Sequence, residues 1–231
     1  MFMDDNKNTS NVTPVAEHQF VINIGRQLGS GGRQIGRILA EELNIAYFDK
    51  EILALAAKES GFCEDIFKRN DEKVGFFGSM FGSVVPFMGG SMGGFENEFY
   101  YYENQVSDEN LFRIQSDAIR KAASQQSCIF IGRCADYILR DFPRCVNVFV
   151  VANEEDRIRR IMLLTECDEK EARKMIQKGD ENRAEFYNFY SSGEWGAAAT
   201  YDLCVNSSVL GIEGTAHFIK EFVQQKLAVL K

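Results

Sequence analysis

The chain has few of the residues that build zinc sites or disulfide scaffolds. It carries two histidines, His18 and His217, far apart, and six cysteines at 63, 128, 134, 145, 167 and 204, no two in CxxC spacing. That pattern offers no zinc-ligand set and little for a Cys–His nucleophile, so reduced, buried thiols and no bound metal are the expectation. Long apolar runs are missing too. Residues 129–131 and 146–152 fall far short of the roughly 20 needed to span a bilayer. The first nineteen residues are polar, with two aspartates near the start, which is not a secretory leader. Positive charge is also scarce: 26 Lys and Arg stand against 34 Asp and Glu, a net −8. A protein that neutralises a nucleic-acid backbone shows a basic face, and none is evident here. A cytoplasmic chain with neither membrane nor nucleic acid as partner follows. Any anionic ligand must be met by a few arginines converging locally.

What remains is ordinary globular material, 231 residues of which 45% are hydrophobic, enough for one sizeable core. Short β-branched runs alternate with segments of helical spacing. Residues 20–24 read as a strand ended by Gly25. Residues 34–43 read as a helix, with Ile35, Ile38, Leu39 and Leu43 on one face. Further strands are expected at 45–48, 128–131, 145–152 and 204–206. Helices are expected at 50–58, 64–68, 108–124 (capped by Ser107), 135–140, 154–165, from Asp168 to about Tyr190, and at 215–227. Asp168 followed by Glu171 has the form of a capping box. This alternation predicts an α/β fold, a parallel sheet with helices on both faces, whose ligands bind beyond the carboxyl ends of the strands. Residues 75–94 stand apart, holding seven of the nineteen glycines among Phe, Met and Val. They suit a mobile flap, a partner-binding loop that makes a homodimer conceivable, or a loop laid on its own domain.

The segment Gly25-Arg26-Gln27-Leu28-Gly29-Ser30-Gly31-Gly32-Arg33-Gln34 lies between the first strand and the first helix. It has the layout that aims backbone N–H groups and a helix N-terminus at an anion. Two nucleotide fingerprints compete for it. The dinucleotide pattern GxGxxG starts at Gly29 and Gly31, with Asp49 where a ribose-binding acid belongs, but its third glycine would fall on Gln34. The phosphate-loop pattern GxxxxGK[ST] lacks its lysine and its hydroxyl.

The order of the remaining motifs decides between them. Gly25–Arg37, the YFD ending at Asp49, the IGR ending at Arg133, the arginine-rich helix after VFVVA, the KGDENR ending at Arg183 and the stretch from Tyr201 to Asn206 follow one another. Together they resemble bacterial cytidylate kinase, and more closely its divergent cytidylate-kinase-like relatives, from about Phe20 onward. The resemblance implies a P-loop nucleoside-monophosphate kinase fold: a three-layer α/β/α core, an acceptor-binding insertion and a helical lid. It divides the chain into a tail (1–19) and one domain (20–231), with the insertion at 50–106 and the lid at 157–195. It implies ATP and Mg²⁺ as cofactors and a nucleoside monophosphate, CMP or dCMP first, as acceptor. Gly25, Arg26, Gly29, Ser30, Gly31, Gly32 and Gln34 would bind phosphate. Asp49 and Asp180 would face the acceptor, while Arg33, Arg133 and Arg183 would act on the transferred group. Arg157 and Arg160 would belong to the lid.

Three departures from the family pattern follow from that alignment. Gly32 stands where the lysine is expected, Gln34 where the hydroxyl is, and Cys134 where GRD has its acid. An arginine, Arg33 or Arg26, is then expected to replace the lysine, since a guanidinium grips phosphate oxygens bidentately. A nucleotide-binding protein without catalysis is the alternative of another class. Plainer roles stay open as well. Asp180 and Arg183, three apart, suit a surface pair. Asp49 suits a helix cap, Arg133 a loop ion pair, and Arg157 with Arg160 a solvated charged face.

Overall fold

The computed structural model describes residues 19–49 and 108–230. The predicted tail through residue 18, the helices at 50–58 and 64–68, the glycine-rich segment 75–94, the insertion as a whole and the Ser107 cap lie outside the described residues. The elements in chain order are β1 (Val21–Arg26), α1 (Gly32–Leu43), β2 (Ala46–Phe48), α2 (Asp108–Gln125), β3 (Cys128–Ile131), α3 (Ala135–Ile138), β4 (Cys145–Val151), α4 (Glu154–Thr165), α5 (Glu169–Tyr190), β5 (Leu203–Asn206) and α6 (Ser207–Val229).

The five strands form one parallel sheet in the order β2-β3-β1-β4-β5. Alternation along the strands sorts the side chains into two layers. Ile22, Ile24, Ile129, Ile131, Val146, Val148 and Val150 pack with Ile35 and Leu39 of α1 and Ile219 and Val223 of α6. On the other face Val21, Cys128 and Phe130 meet Ile119 and Ala123 of α2, Ala135 and Ile138 of α3, and Tyr187 of α5. Each fully buried Ile or Val contributes about 1.5–3 kcal/mol. The architecture is the expected three-layer α/β/α. The chain runs from β1 to β2 and β3 on one side, then to β4 and β5 on the other. This reversal beside β1 opens the crevice in which such sheets bind ligands.

Three local differences from the sequence expectations have physical causes. Gly25 does not end β1. It lies inside the strand, opposite Phe149 of β4, and a Cβ there would come within 2.6 Å of the Phe149 ring. Its role is to admit that ring. Gln19, assigned to the tail, is buried and donates from its side-chain amide to the Ala123 carbonyl. The last helix, expected from Thr215, is preceded by a helical segment that starts at Ser207, where Asn206 caps it by accepting from Ser208 N (2.9 Å), and the two meet at a break at Gly211 (φ 70°, ψ 179°). The glycines there hid the helical pattern. Among the described residues no helix is long and apolar enough to cross a membrane.

Candidate phosphate-binding site

The loop from β1 to α1 is held from outside by its carbonyls. Arg157 of α4 donates from Nε to the Leu28 carbonyl (2.7 Å), and Arg160 donates to the Gly29 carbonyl (3.1 Å) and to Ser207 Oγ (3.3 Å). The Ser207 hydroxyl in turn donates to the Ser30 carbonyl (2.6 Å). Asp180 of α5 accepts from Leu28 N (2.7 Å) and pairs with Arg157, so the backbone of one residue is gripped at both its N–H and its carbonyl. Leu28 itself packs into the α4–α5 hairpin, next to Ile158, Ile161, Ala172 and Ile176. A Cβ at Gly179 would fall 2.7 Å from its methyl group.

With the carbonyls taken outward, the N-terminus of α1 faces the crevice. Gly31 caps it in the left-handed conformation (φ 81°). No side chain caps it, and no acid lies in its first turn. Its first N–H groups have no partner within the helix, and the macrodipole adds a partial positive charge. Gly29 is also left-handed (φ 77°), and a side chain there would strike the Arg157 backbone (2.8 Å).

Four of the predicted arginines meet beside this terminus. Arg26, at the end of β1, has its pKa pushed well down by burial and then by the charges of Arg183, Arg33 and Arg133. Arg33 and Arg37 each approach Asp49 at 4.0 Å, and Asp49 is 4% exposed. Arg37 also lies over the Tyr47 ring (5.5 Å), whose hydroxyl burial and then Asp49 push to a higher pKa. Arg183 pairs with Asp180 (3.4 Å). Arg133 lies over the Phe186 ring (5.7 Å), and its carbonyl accepts from Gln115 (3.3 Å).

Arg133 sits in an unusual turn. Gly132, Arg133 and Cys134 are all left-handed, with φ of 69°, 60° and 54°. Non-glycine residues hold that conformation at a cost, which the surroundings must offset. Here α3 begins directly afterwards, and Asp136 accepts from the Tyr187 hydroxyl (2.7 Å), tying the turn to α5. Cys134 is buried and its thiol is pushed up to about 12, so a neutral group stands where an acid was expected.

The structure therefore brings Arg26, Gly29, Gly31, Gly32, Arg33, Asp49, Arg133, Asp180 and Arg183 to one end of the sheet. Gly25 is set back within β1. Ser30 is fully buried, its hydroxyl donating to the Gln27 carbonyl (2.9 Å), and Gln34 is exposed. Arg157 and Arg160 grip the loop rather than lying on a solvated face. Sequence reasoning missed Arg37, four residues after Arg33 and so on the same helical face. It also missed Ser207, whose only sequence signal is its place after the capping Asn206.

Comparison with known proteins gives this geometry a family. The solved structure of an uncharacterized protein from Eubacterium ventriosum is 25% identical, covering 89% of this chain and 99% of its own, with a TM-score of 0.64. A shikimate kinase from Bacteroides thetaiotaomicron shares the fold at 13% identity and a TM-score of 0.50, covering 89% of this chain and 98% of its own. No curated protein matches the sequence. The model of the cytidylate kinase-like family matches residues 21–209, spanning the sheet, the phosphate loop and all four arginines. The chain belongs to the cytidylate kinase-like family and has the fold of P-loop kinases.

Proposed function

We propose that this protein transfers the γ-phosphoryl group of ATP to a nucleoside monophosphate or a similar small acceptor, with CMP or dCMP the first candidate. One observation carries the reading. In a chain of net charge −8, Arg26, Arg33, Arg133 and Arg183 converge on the uncapped N-terminus of α1. Like charges so placed repel one another, and a polyphosphate relieves that repulsion while accepting the α1 N–H groups.

These residues fit ATP. The loop at 29–33 and the α1 terminus would hold its phosphates, and ATP with Mg²⁺ would supply the phosphoryl group and a divalent charge on its oxygens. Among the described residues no three of His, Cys, Asp and Glu lie together to hold a metal. Magnesium commonly rests on phosphates with few protein ligands, and that is its place in this reading. Phosphoryl transfer asks the protein mainly for positioning and for positive charge on the group in flight. Arg33, Arg133 and Arg183 supply that charge. Asp49, buried at the end of β2, is the acid that faces the acceptor. Asp180, engaged with Leu28 and Arg157, steadies the loop, and the α4–α5 hairpin excludes water from the site.

Gly32 and Gln34, in place of the lysine and the hydroxyl, favour a second reading: a nucleotide-binding protein that keeps the anion without the chemistry. The test is ADP formation from ATP and Mg²⁺ against a panel of nucleoside monophosphates, with Arg33→Ala as control. Turnover lost in the variant supports the kinase. Nucleotide binding without turnover on any acceptor supports the second reading, and absence of binding sinks both.

A further inference from the structure

We propose that Arg26, approaching from the end of β1, occupies the place of the missing phosphate-gripping lysine and is the principal triphosphate-binding cation. This assignment rests on the phosphate-site reading above. Gly32 is the first residue of α1, where the lysine of the family pattern would stand, and its backbone is ordinary helix, so conformation does not require glycine there. Space does. A Cβ on Gly32 would fall 2.7 Å from Arg26 Cβ and 3.1 Å from Arg26 Cγ. The stem of Arg26 thus fills the volume into which a side chain at 32 would project.

The far end of Arg26 is accommodated in the same way. Its guanidinium reaches Gly132 with Nη1 foremost, close enough that a Cβ there would overlap Nη1, with the next contact, Cζ, at 3.1 Å. Two glycines, one at the start of α1 and one in the turn after β3, therefore make one track for a single arginine. That track delivers its charge among Arg33, Arg133 and Arg183. Among the described residues the site's two carboxylates pair with Arg33, Arg37, Arg157 and Arg183, and no ion pair falls to Arg26. Arg33 leans toward Asp49, with 43% of its side chain exposed. Among the described residues that leaves a half-buried guanidinium with three like neighbours and no carboxylate partner, an arrangement that costs the unliganded protein stability and that an arriving anion relieves.

The experiment uses sodium tripolyphosphate and ATP as probes, read by calorimetry and by the shift in unfolding temperature. Wild type is expected to bind both. Arg26→Met, which keeps the bulk and removes the charge, should unfold at the same or a higher temperature without ligand. Its affinity for tripolyphosphate should fall roughly 10- to 100-fold, the worth of charge-assisted hydrogen bonds. The double variant Arg26→Gly/Gly32→Lys, which also removes the Cβ that a side chain at 32 would meet at 2.7 Å, moves the cation back to α1 and should recover at least a third of the wild-type shift. It also refills the vacated space, so it carries the test if Arg26→Met does not fold. Wild-type affinity in Arg26→Met, or a folded double variant that recovers nothing, would overturn the assignment while leaving the phosphate site standing. Failure of wild type to bind either probe would overturn both.

Discussion

At the scale of single residues, two positions carry consequences that their side-chain chemistry alone would not suggest. Gly25 looks like part of a phosphate cradle, yet its missing side chain makes room for Phe149, whose ring is wedged against Trp195 (5.3 Å between centroids) and Tyr201 (4.8 Å). A ring so confined cannot withdraw cheaply, so Gly25→Ala should destabilise the fold by about 1–3 kcal/mol, the usual cost of overpacking. Phe149→Leu in the same chain should return part of it, as thermal unfolding of the single and double variants will show. Asp136 behaves in the opposite sense. Burial raises its pKa above the ordinary 3.8, and the Tyr187 hydroxyl only partly opposes that. A carboxyl whose folded pKa is raised contributes stability below its unfolded pKa and loses it as the pH climbs through the folded one. At neutral pH the charge is therefore a burden. Asp136→Asn, which can still accept from Tyr187, should raise stability by about 1 kcal/mol at pH 7. Urea unfolding should find that advantage shrinking toward nothing as the pH falls to about 4.

At the scale of elements, the α4–α5 hairpin and the phosphate loop form one mechanical unit, joined through the backbone of Leu28. Arg157 holds its carbonyl, Asp180 holds its N–H, and the two hold each other in a largely buried pair. Breaking such a pair from one side typically costs about 3–5 kcal/mol. Arg157→Ala should therefore lower stability on that scale and, by releasing the loop, weaken ATP. Asp180→Asn is the sharper probe. If Asp180 acts on the loop, the variant raises the KM for ATP with the acceptor KM little changed. A rise confined to the acceptor would instead return Asp180 to the acceptor's sugar. This division was out of reach of the sequence. The motif carrying Asp180 and Arg183 was visible, and so was the helix that bears it. The helix also starts as its capping box implies, with Asp168 accepting from Glu171 N (2.8 Å). The strands were legible to within two residues at each end, since buried parallel strands are continuous β-branched runs. Partnership at long range was not legible. Nothing local to Leu28 indicates that residues 157 and 180 will close on its backbone, and nothing local to Gly32 indicates that Arg26 fills its space. Glycine, which reads as conformational freedom, serves at Gly25 and at Gly32 as room for another residue's side chain.

At the scale of the whole molecule, the charge is inverted between surface and site. A net −8 is spread over the chain while five arginines, counting Arg37, collect at one end of the sheet against Asp49 and the already engaged Asp180. Far from the crevice an anion meets a repulsive field, and within about a Debye length of it an attractive one. That length is about 10 Å at 0.1 M salt and about 30 Å at 0.01 M. A compact polyanion pays the long-range repulsion once and then enters. A nucleic acid, whose charge extends for many ångströms on either side of any phosphate it offers, keeps paying it along the acidic surface. Proteins that bind such backbones gain affinity steeply as salt is lowered, because counterions are released. Here the opposite trend is expected. Duplex DNA, even at a hundredfold excess of phosphate, should leave the tripolyphosphate-induced rise in unfolding temperature unchanged at 0.15 M salt. Lowering the salt to 0.02 M should not bring the DNA in, because the global repulsion then reaches further out. Displacement of tripolyphosphate by DNA at low salt, read by the same thermal shift, would show instead that the arginines form part of an open basic face. The crevice would then be no enclosed site for a small nucleotide.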